Sequence, residues 1–235
     1  MSSLLPLIFV ASDRRESDPW VARWESSRPL DLPVHWARAG TWRGRDVIVV
    51  ANGVGAHRAA DAIAAAQVIA KGFSGICSIG TGGALDGSVS LADVIVASAV
   101  TDGANNWAAV DPHGPAARTG LVYSSRHIAR SAEEKRKLNQ SGAILVEMEA
   151  AGVARAAEEM AVPFYCVRVV SDLADEAFFI DFESCIMADG RFNVPRLVMQ
   201  ALAHPIQGFP ELLRLQRRTA DAAKKLGDFL ADCNF

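Results

Sequence analysis

Apolar and polar positions along this chain follow two alternating rhythms. Short, nearly unbroken apolar runs recur at Leu4 to Ala11, Asp46 to Ala51, Gly75 to Gly80, Val94 to Val100 and Phe164 to Val170. Runs this short and rich in Val and Ile predict buried strands. Between them, His57 to Lys71 and Ala150 to Met160 are Ala-rich and predict helices; in the second, Ala151, Val153, Ala154 and Ala157 share one face. Val34 to Ala39 is expected to pair with Asp46 to Ala51 across the turn Trp42-Arg43-Gly44-Arg45. Leu121 to Ser124 reads as a further strand, and Phe182 to Ala203 as a helical region broken at Asp189-Gly190. Thr101 to Thr119, rich in Asn, Asp, Gly and Pro, reads as loop. Strands and helices in alternation specify an α/β fold.

The stretch from Ile144 to Glu176 carries the chemistry. Val146-Glu147-Met148-Glu149 runs directly into the second helix, so Glu149 sits at a helix start, where the dipole favours negative charge. The strand Phe164 to Val170 ends in Ser171-Asp172-Leu173-Ala174-Asp175. In open α/β sheets ligands bind at the carboxyl ends of strands, which places Asp172 where chemistry is common. Taken singly, either carboxylate also fits a solvated rim, since structural carboxylates outnumber catalytic ones. Together they predict a pocket with one acceptor for a base and another for a diol.

Composition narrows the class. With 235 residues the chain can bury the core of one α/β domain, and 50% hydrophobic with 22% charged residues is ordinary for a soluble enzyme. A net charge of −3 argues against a nucleic-acid surface. Cys77, Cys166, Cys185 and Cys233 have no CxxC spacing, which fits reduced thiols in a cytoplasmic protein. Leu4 to Ala11 lacks a basic leader, so no signal peptide is expected, and no apolar run reaches membrane-spanning length. No metal-binding cluster is visible.

Val146-Glu-Met-Glu-Ala150 and Val167-Arg-Val-Val-Ser-Asp-Leu-Ala-Asp175 resemble the purine nucleoside phosphorylase and nucleosidase superfamily, and within it the methylthioadenosine/S-adenosylhomocysteine nucleosidases. Further landmarks fall in the family's order: Asn52-Gly53-Val54-Gly55, then Ser78-Ile79-Gly80-Thr81-Gly82-Gly83-Ala84-Leu85, then Leu91-Ala92-Asp93-Val94-Ile95-Val96. The resemblance covers residues 4 to about 203. It implies a three-layer αβα fold around a central mixed, twisted sheet, a homodimer or higher homo-oligomer, and cleavage of a purine-to-ribose bond without a cofactor.

Carried over position by position, the resemblance makes Asp172 the general acid at purine N7, oriented by Ser171. Glu149 would accept the ribose hydroxyls, with Glu147 and Met148 beside it in the same motif and Met148 as an apolar wall. The nucleophile stays open between two chemistries. Glu16, in Ala11-Ser-Asp-Arg-Arg-Glu16, would activate water, or Arg14 or Arg15 would hold inorganic phosphate as co-substrate. Gly55, Gly80 and Thr81 would offer amides and a hydroxyl to either. Ser78 stands where many phosphorylases carry an arginine, which leaves water, or phosphate held differently. His127 and Ile128 occupy the place where the family stacks an aromatic on the base, although a histidine beside an apolar strand also fits a core position.

Two departures concern the substrate's 5′ side. The segment Thr101 to Gly120 is shorter than the nucleosidases' pocket-closing excursion, and residues 205–235 form a basic amphipathic extension beyond a 1–204 domain. In that extension Leu212, Leu215, Ala222, Leu226 and Phe229 make one stripe, with Arg214, Arg217, Arg218, Lys224 and Lys225 around it. Such a helix fits docking on its own body or on a partner subunit, or peripheral contact with an anionic membrane through residues 205–232. Both features resemble the hopanoid-associated phosphorylases, a bacterial branch thought to remove adenine from adenosylhopane. The expected partner is therefore a small or lipid-linked purine nucleoside. A nucleoside-binding module without catalysis is the alternative from a different class.

Overall fold

The computed structural model describes residues 5–235; Leu4 lies outside them. The chain forms strands β1 (Leu7–Ala11), β2 (Ser26–Pro29), β3 (Trp36–Trp42), β4 (Arg45–Ala51) and β5 (Gly75–Ala84). Strands β6 (Val94–Thr101), β7 (Asn106–Ala108), β8 (Arg118–Ser124), β9 (Ala143–Glu147) and β10 (Phe164–Asp172) follow. The helices are α1 (Arg14–Val21), α2 (Ala56–Gln67), α3 (Ala132–Asn139), α4 (Ala150–Glu159), α5 (Val194–Ala203) and α6 (Gly208–Ala231). All strands belong to one mixed sheet. β1 lies parallel between β4 and β5, and β10 pairs with both β5 and β6. Because β9 also pairs with β5, strands β5, β10, β6, β8 and β9 close on themselves. This closure brings the ends of β5, β9 and β10 together.

Helices cover both faces, as the resemblance implies. On one face Ala59, Ala62, Ile63 and Ala66 of α2, with Val153, Ala154 and Ala157 of α4, pack on Ile8, Val10, Ile76 and Cys166. Small residues let α2 and α4 cross closely: a Cβ on Gly152 would stand 1.8 Å from the Ala56 carbonyl oxygen. On the other face Trp20 of α1 and Ala222, Leu226, Phe229 and Leu230 of α6 pack on Phe9, Val49, Ile79 and Val167. Burying each Leu or Phe contributes about 1.5–3 kcal/mol. The carboxyl-terminal half of α6 is thus docked on its own body, and Ala222, Leu226 and Phe229 of the amphipathic stripe are core. Among the described residues no helix is long and apolar enough to cross a membrane.

Strands at Val34 to Ala39, Asp46 to Ala51, Gly75 to Gly80, Val94 to Val100, Leu121 to Ser124 and Phe164 to Val170 form within a few residues of their expected bounds, as do the helices at His57 to Lys71 and Ala150 to Met160. Three segments differ from the sequence-based expectation. Arg14 to Val21, for which the sequence pattern predicts no helix, is capped helix α1, and Thr101 to Thr119 contains the short strand β7. Phe182 to Ala203 is helical only at the single 3-10 turn Glu183–Cys185 and in α5. Between them Ile186 bridges Phe192, and Gly190, at φ +80°, turns the chain so that its carbonyl accepts from the Val54 amide at 2.9 Å. A tertiary contact thus overrides local helix preference there.

Candidate active site

Three carboxylates converge on the ends of the closed strands. The first comes from α1. Asp13 caps this helix and Glu16, at its third position, completes a capping box by turning its carboxylate back. Glu16 Oε2 accepts from the Ser12 amide and hydroxyl, both at 2.9 Å, while Oε1 accepts from the Thr81 amide at 3.0 Å and hydroxyl at 3.3 Å. Gly80 makes the approach feasible. It adopts φ +152°, and a Cβ there would stand 2.7 Å from Glu16 Oε1.

The second carboxylate, Glu149, opens α4, where its Oε1 accepts the Gly55 amide at 3.0 Å. Glu147, at the end of β9, accepts the Glu149 and Ala150 amides at 2.9 and 2.8 Å and pairs with Arg168 at 2.5 Å. Arg168 also donates to Ser78 Oγ at 2.7 Å, and both members of the pair are 1% exposed. Burial opposes the Arg168 charge, but the neighbouring Glu147, Cys166 and Glu149 raise its pKa above the usual arginine value. Burial pushes the Glu149 carboxyl up to about 8, Glu147 and Glu16 add to that rise, and Arg168 and the Gly55 amide oppose it.

A raised carboxyl pKa destabilises the fold as pH increases. Between about 4.5 and 8 the folded protein keeps a proton on Glu149 that the unfolded chain releases, so this group lowers stability progressively across that window and no further above it. Glu149→Gln keeps an acceptor for Gly55 and cannot ionise. Its melting temperature relative to wild type is expected to rise between pH 5 and pH 8, a gain of at most a few kcal/mol. An offset independent of pH would refute the assignment.

The third carboxylate is Asp172, at the end of β10. Its Oδ1 accepts from Ser171 Oγ at 2.8 Å, and Ser171 Oγ also reaches the Gly82 carbonyl at 3.1 Å. Its Oδ2 accepts from Lys135 Nζ of α3 at 2.5 Å. A Cβ on Gly83 would stand 2.6 Å from Oδ2, so glycine is needed there as well. Glu16 therefore lies against residues 80 and 81 of β5 and Asp172 against residue 83, about 7–10 Å apart along one strand.

The carboxyl-terminal helix holds the segment after Asp172. Glu211 accepts the Phe179 and Ile180 amides, and Arg218 pairs at 2.7 Å with Glu176, which itself accepts the Leu173 amide at 2.9 Å. Cavities of about 410 and 380 Å³ lie beside this segment; Phe178 and Ile180 line both, and the Phe178 ring lies over Lys135 Nζ at 5.3 Å. Residues 35–116 and 108–188, well over half of the chain, match the sequence model of the Phosphorylase superfamily.

The chain belongs to the phosphorylase superfamily.

This superfamily member is an enzyme of the nucleosidase and phosphorylase kind. It is 28% identical over 176 residues to the 5′-methylthioadenosine/S-adenosylhomocysteine nucleosidase of Staphylococcus aureus, covering 62% of this chain and 76% of that protein. Its fold matches the nucleosidase of the same name from Helicobacter pylori, with a TM-score of 0.73, 97% of each chain covered and 16% identity. A futalosine hydrolase mutant from Helicobacter pylori matches with a TM-score of 0.67, 97% coverage of both chains and 17% identity.

The superfamily member's geometry brings Glu16, Thr81, Gly80, Gly55, Glu147, Glu149, Ser171 and Asp172 together, with Met148 half-buried between the two glutamates of its motif. Arg14 and Arg15 stay outside. Arg14 is solvent-exposed beside Asp18 at 3.8 Å, and Arg15 is 77% exposed and paired with Asp13 at 2.9 Å. Helix α1 accounts for this: the turn that points Glu16 inward points its two predecessors outward. His127 is exposed, with Nδ1 2.5 Å from Glu183 Oε1, rather than a core residue, while Ile128 lines the larger cavity. Sequence reasoning missed Arg168 and Lys135. Arg168 had a signal, a charge in the middle of the apolar run Phe164 to Val170. Lys135 had none, because Glu133-Glu134-Lys135-Arg136-Lys137 reads as a solvated face. Among the described residues no cluster of three or more His, Cys, Asp or Glu could hold a metal.

Proposed function

We propose that this enzyme hydrolyses the bond between adenine and ribose in a 5′-substituted adenosine. One observation carries the choice of water: the Thr81 amide and hydroxyl, donors that a phosphate would need, are both bound to the Glu16 carboxylate. A fixed anion there repels phosphate, and Arg14 and Arg15 face solvent. The nucleosidase named for the Staphylococcus aureus relative supports adenine as the base.

In this reading the C1′–N9 bond breaks with its electron pair moving to the purine, and Asp172 gives its proton to N7, so that neutral adenine departs. Glu149 holds the ribose hydroxyls, and the Glu16 carboxylate favours the positive charge that develops on the ring. Glu16 takes a proton as water oxygen bonds to C1′. The products are adenine and a free ribose carrying the 5′ group. The test is adenine release from 5′-substituted adenosines with and without inorganic phosphate. Equal release, with free ribose as the second product, supports hydrolysis. A ribose 1-phosphate product would overturn it, and no release from any adenosine would favour a binding module.

A finer reading concerns the 5′ group. Val194, Val198, Met199, Leu202 and Ile206 of α5 and the following turn, with Phe209 of α6, are exposed, and α5 residues Gln200 and Ala203 line the smaller cavity. Arg196 of α5 and Arg214 and Arg217 of α6 are exposed as well. We infer an apolar, lipid-linked substituent such as that of adenosylhopane, presented at an anionic bilayer. In the same assay a long-chain 5′-alkyl adenosine in anionic vesicles should turn over faster than a 5′-methylthio one. Equal rates would oppose the lipid reading alone.

A further inference from the structure

We propose that Lys135 is a positioning residue that drives proton transfer from Asp172 to the departing base; the proposal rests on Asp172 being the acid. Lys135 is 1% exposed, whereas its neighbours Glu133 and Lys137 pair across the solvent face of α3 at 67% exposure each. Sequestering an ammonium costs several kcal/mol unless every proton finds a partner. Here Nζ donates to Asp172 Oδ2 at 2.5 Å and to the Leu173 carbonyl at 2.6 Å, and the Phe178 ring covers it. The cation is therefore aimed at one oxygen of one carboxyl group. In the acid form the proton sits on the other oxygen, Oδ1, where the Ser171 hydroxyl, 2.8 Å away, accepts it while donating its own hydrogen to the Gly82 carbonyl at 3.1 Å.

The chemistry gives such a cation a task. When the Asp172 O–H bond breaks, its electron pair stays on the carboxyl group and the proton goes to N7. A negative charge then appears in a buried site, where the ammonium, unchanged in the step, neutralises it. Lys135 thus steadies the carboxylate that forms as the C1′–N9 bond breaks. A leaving group that needs no proton should be indifferent to it.

The experiment compares two leaving groups in Lys135→Met, Lys135→Gln and Asp172→Asn. For 5′-methylthioadenosine, kcat should fall about tenfold or more in both Lys135 variants with KM little changed. For p-nitrophenyl riboside, whose nitrophenolate leaves unprotonated, the rate should stay within about threefold of wild type in all three. Adding Lys135→Met to Asp172→Asn should lower adenine release no further, because both act on one proton. Equal losses on both substrates would make Lys135 structural, and a Lys135→Gln protein as active as wild type would show that position without charge suffices. Either result overturns the proposal. If instead Asp172→Asn leaves adenine release intact, the reading of Asp172 as the acid fails, and the proposal with it.

Discussion

Replacing Asp172 by Asn is expected to lower kcat for adenine release by about 10²–10⁴-fold while adenine binding changes little. The substitution is close to isosteric, and the Asn side-chain carbonyl can still accept from Lys135 Nζ, which sits 2.5 Å from the carboxylate in the wild type. The Ser171 hydroxyl, 2.8 Å away, can turn to accept from the new amide. What the variant lacks is a proton to give. Because Lys135 is buried, the variant also bears a stability cost, read separately from its melting curve. A folded Asp172→Asn protein that keeps wild-type kcat on 5′-methylthioadenosine would remove Asp172 from the chemistry.

Replacing Glu16 by Gln is expected to lower kcat by about 10²–10³-fold, with no rescue by inorganic phosphate. A carboxylate oxygen can accept about two hydrogen bonds, and the Thr81 hydroxyl contact to Oε1, at 3.3 Å, is the longer of its two. That hydroxyl can turn away and leave Oε1 for a water. An amide in place of the carboxylate cannot take the water's proton. The mechanical share of the effect is small, because the Gln side-chain carbonyl can still accept the N-cap amide and close the α1 capping box. Thermal melting measures that share, and kinetics at saturating substrate measures the rest. If phosphate restored Glu16→Gln to wild-type turnover, the enzyme would be a phosphorylase whose phosphate site the glutamate shields.

Both predictions rest on residues whose partners come from distant parts of the chain. Arg168 shows how this works. Within the sequence it is a charge in an apolar strand, yet in the fold it meets Glu147 across 21 positions and Ser78 across 90. Helix α6 shows it from another side, since its amphipathic pattern fits its own body, a partner subunit or a membrane until Leu226, Phe229 and Leu230 are seen packed on Phe9 and Val167. Its Glu211 and Arg218 then hold the loop that follows Asp172.

The sequence alone determined the α/β class, most of the strands and the helices α2 and α4, and it placed Glu149 at a helix start and Asp172 at the end of a strand. Each follows from short-range physics: apolar period, helix-start preference, and the loop that follows a buried strand. Tertiary structure alone decided which of Arg14, Arg15 and Glu16 turns inward, because a capping box and the missing side chain at Gly80 select Glu16. It also decided that Lys135 is buried. A charged five-residue window carries no mark of which lysine will find a carboxylate 37 positions away, since that pairing exists only once α3 is laid against the end of β10.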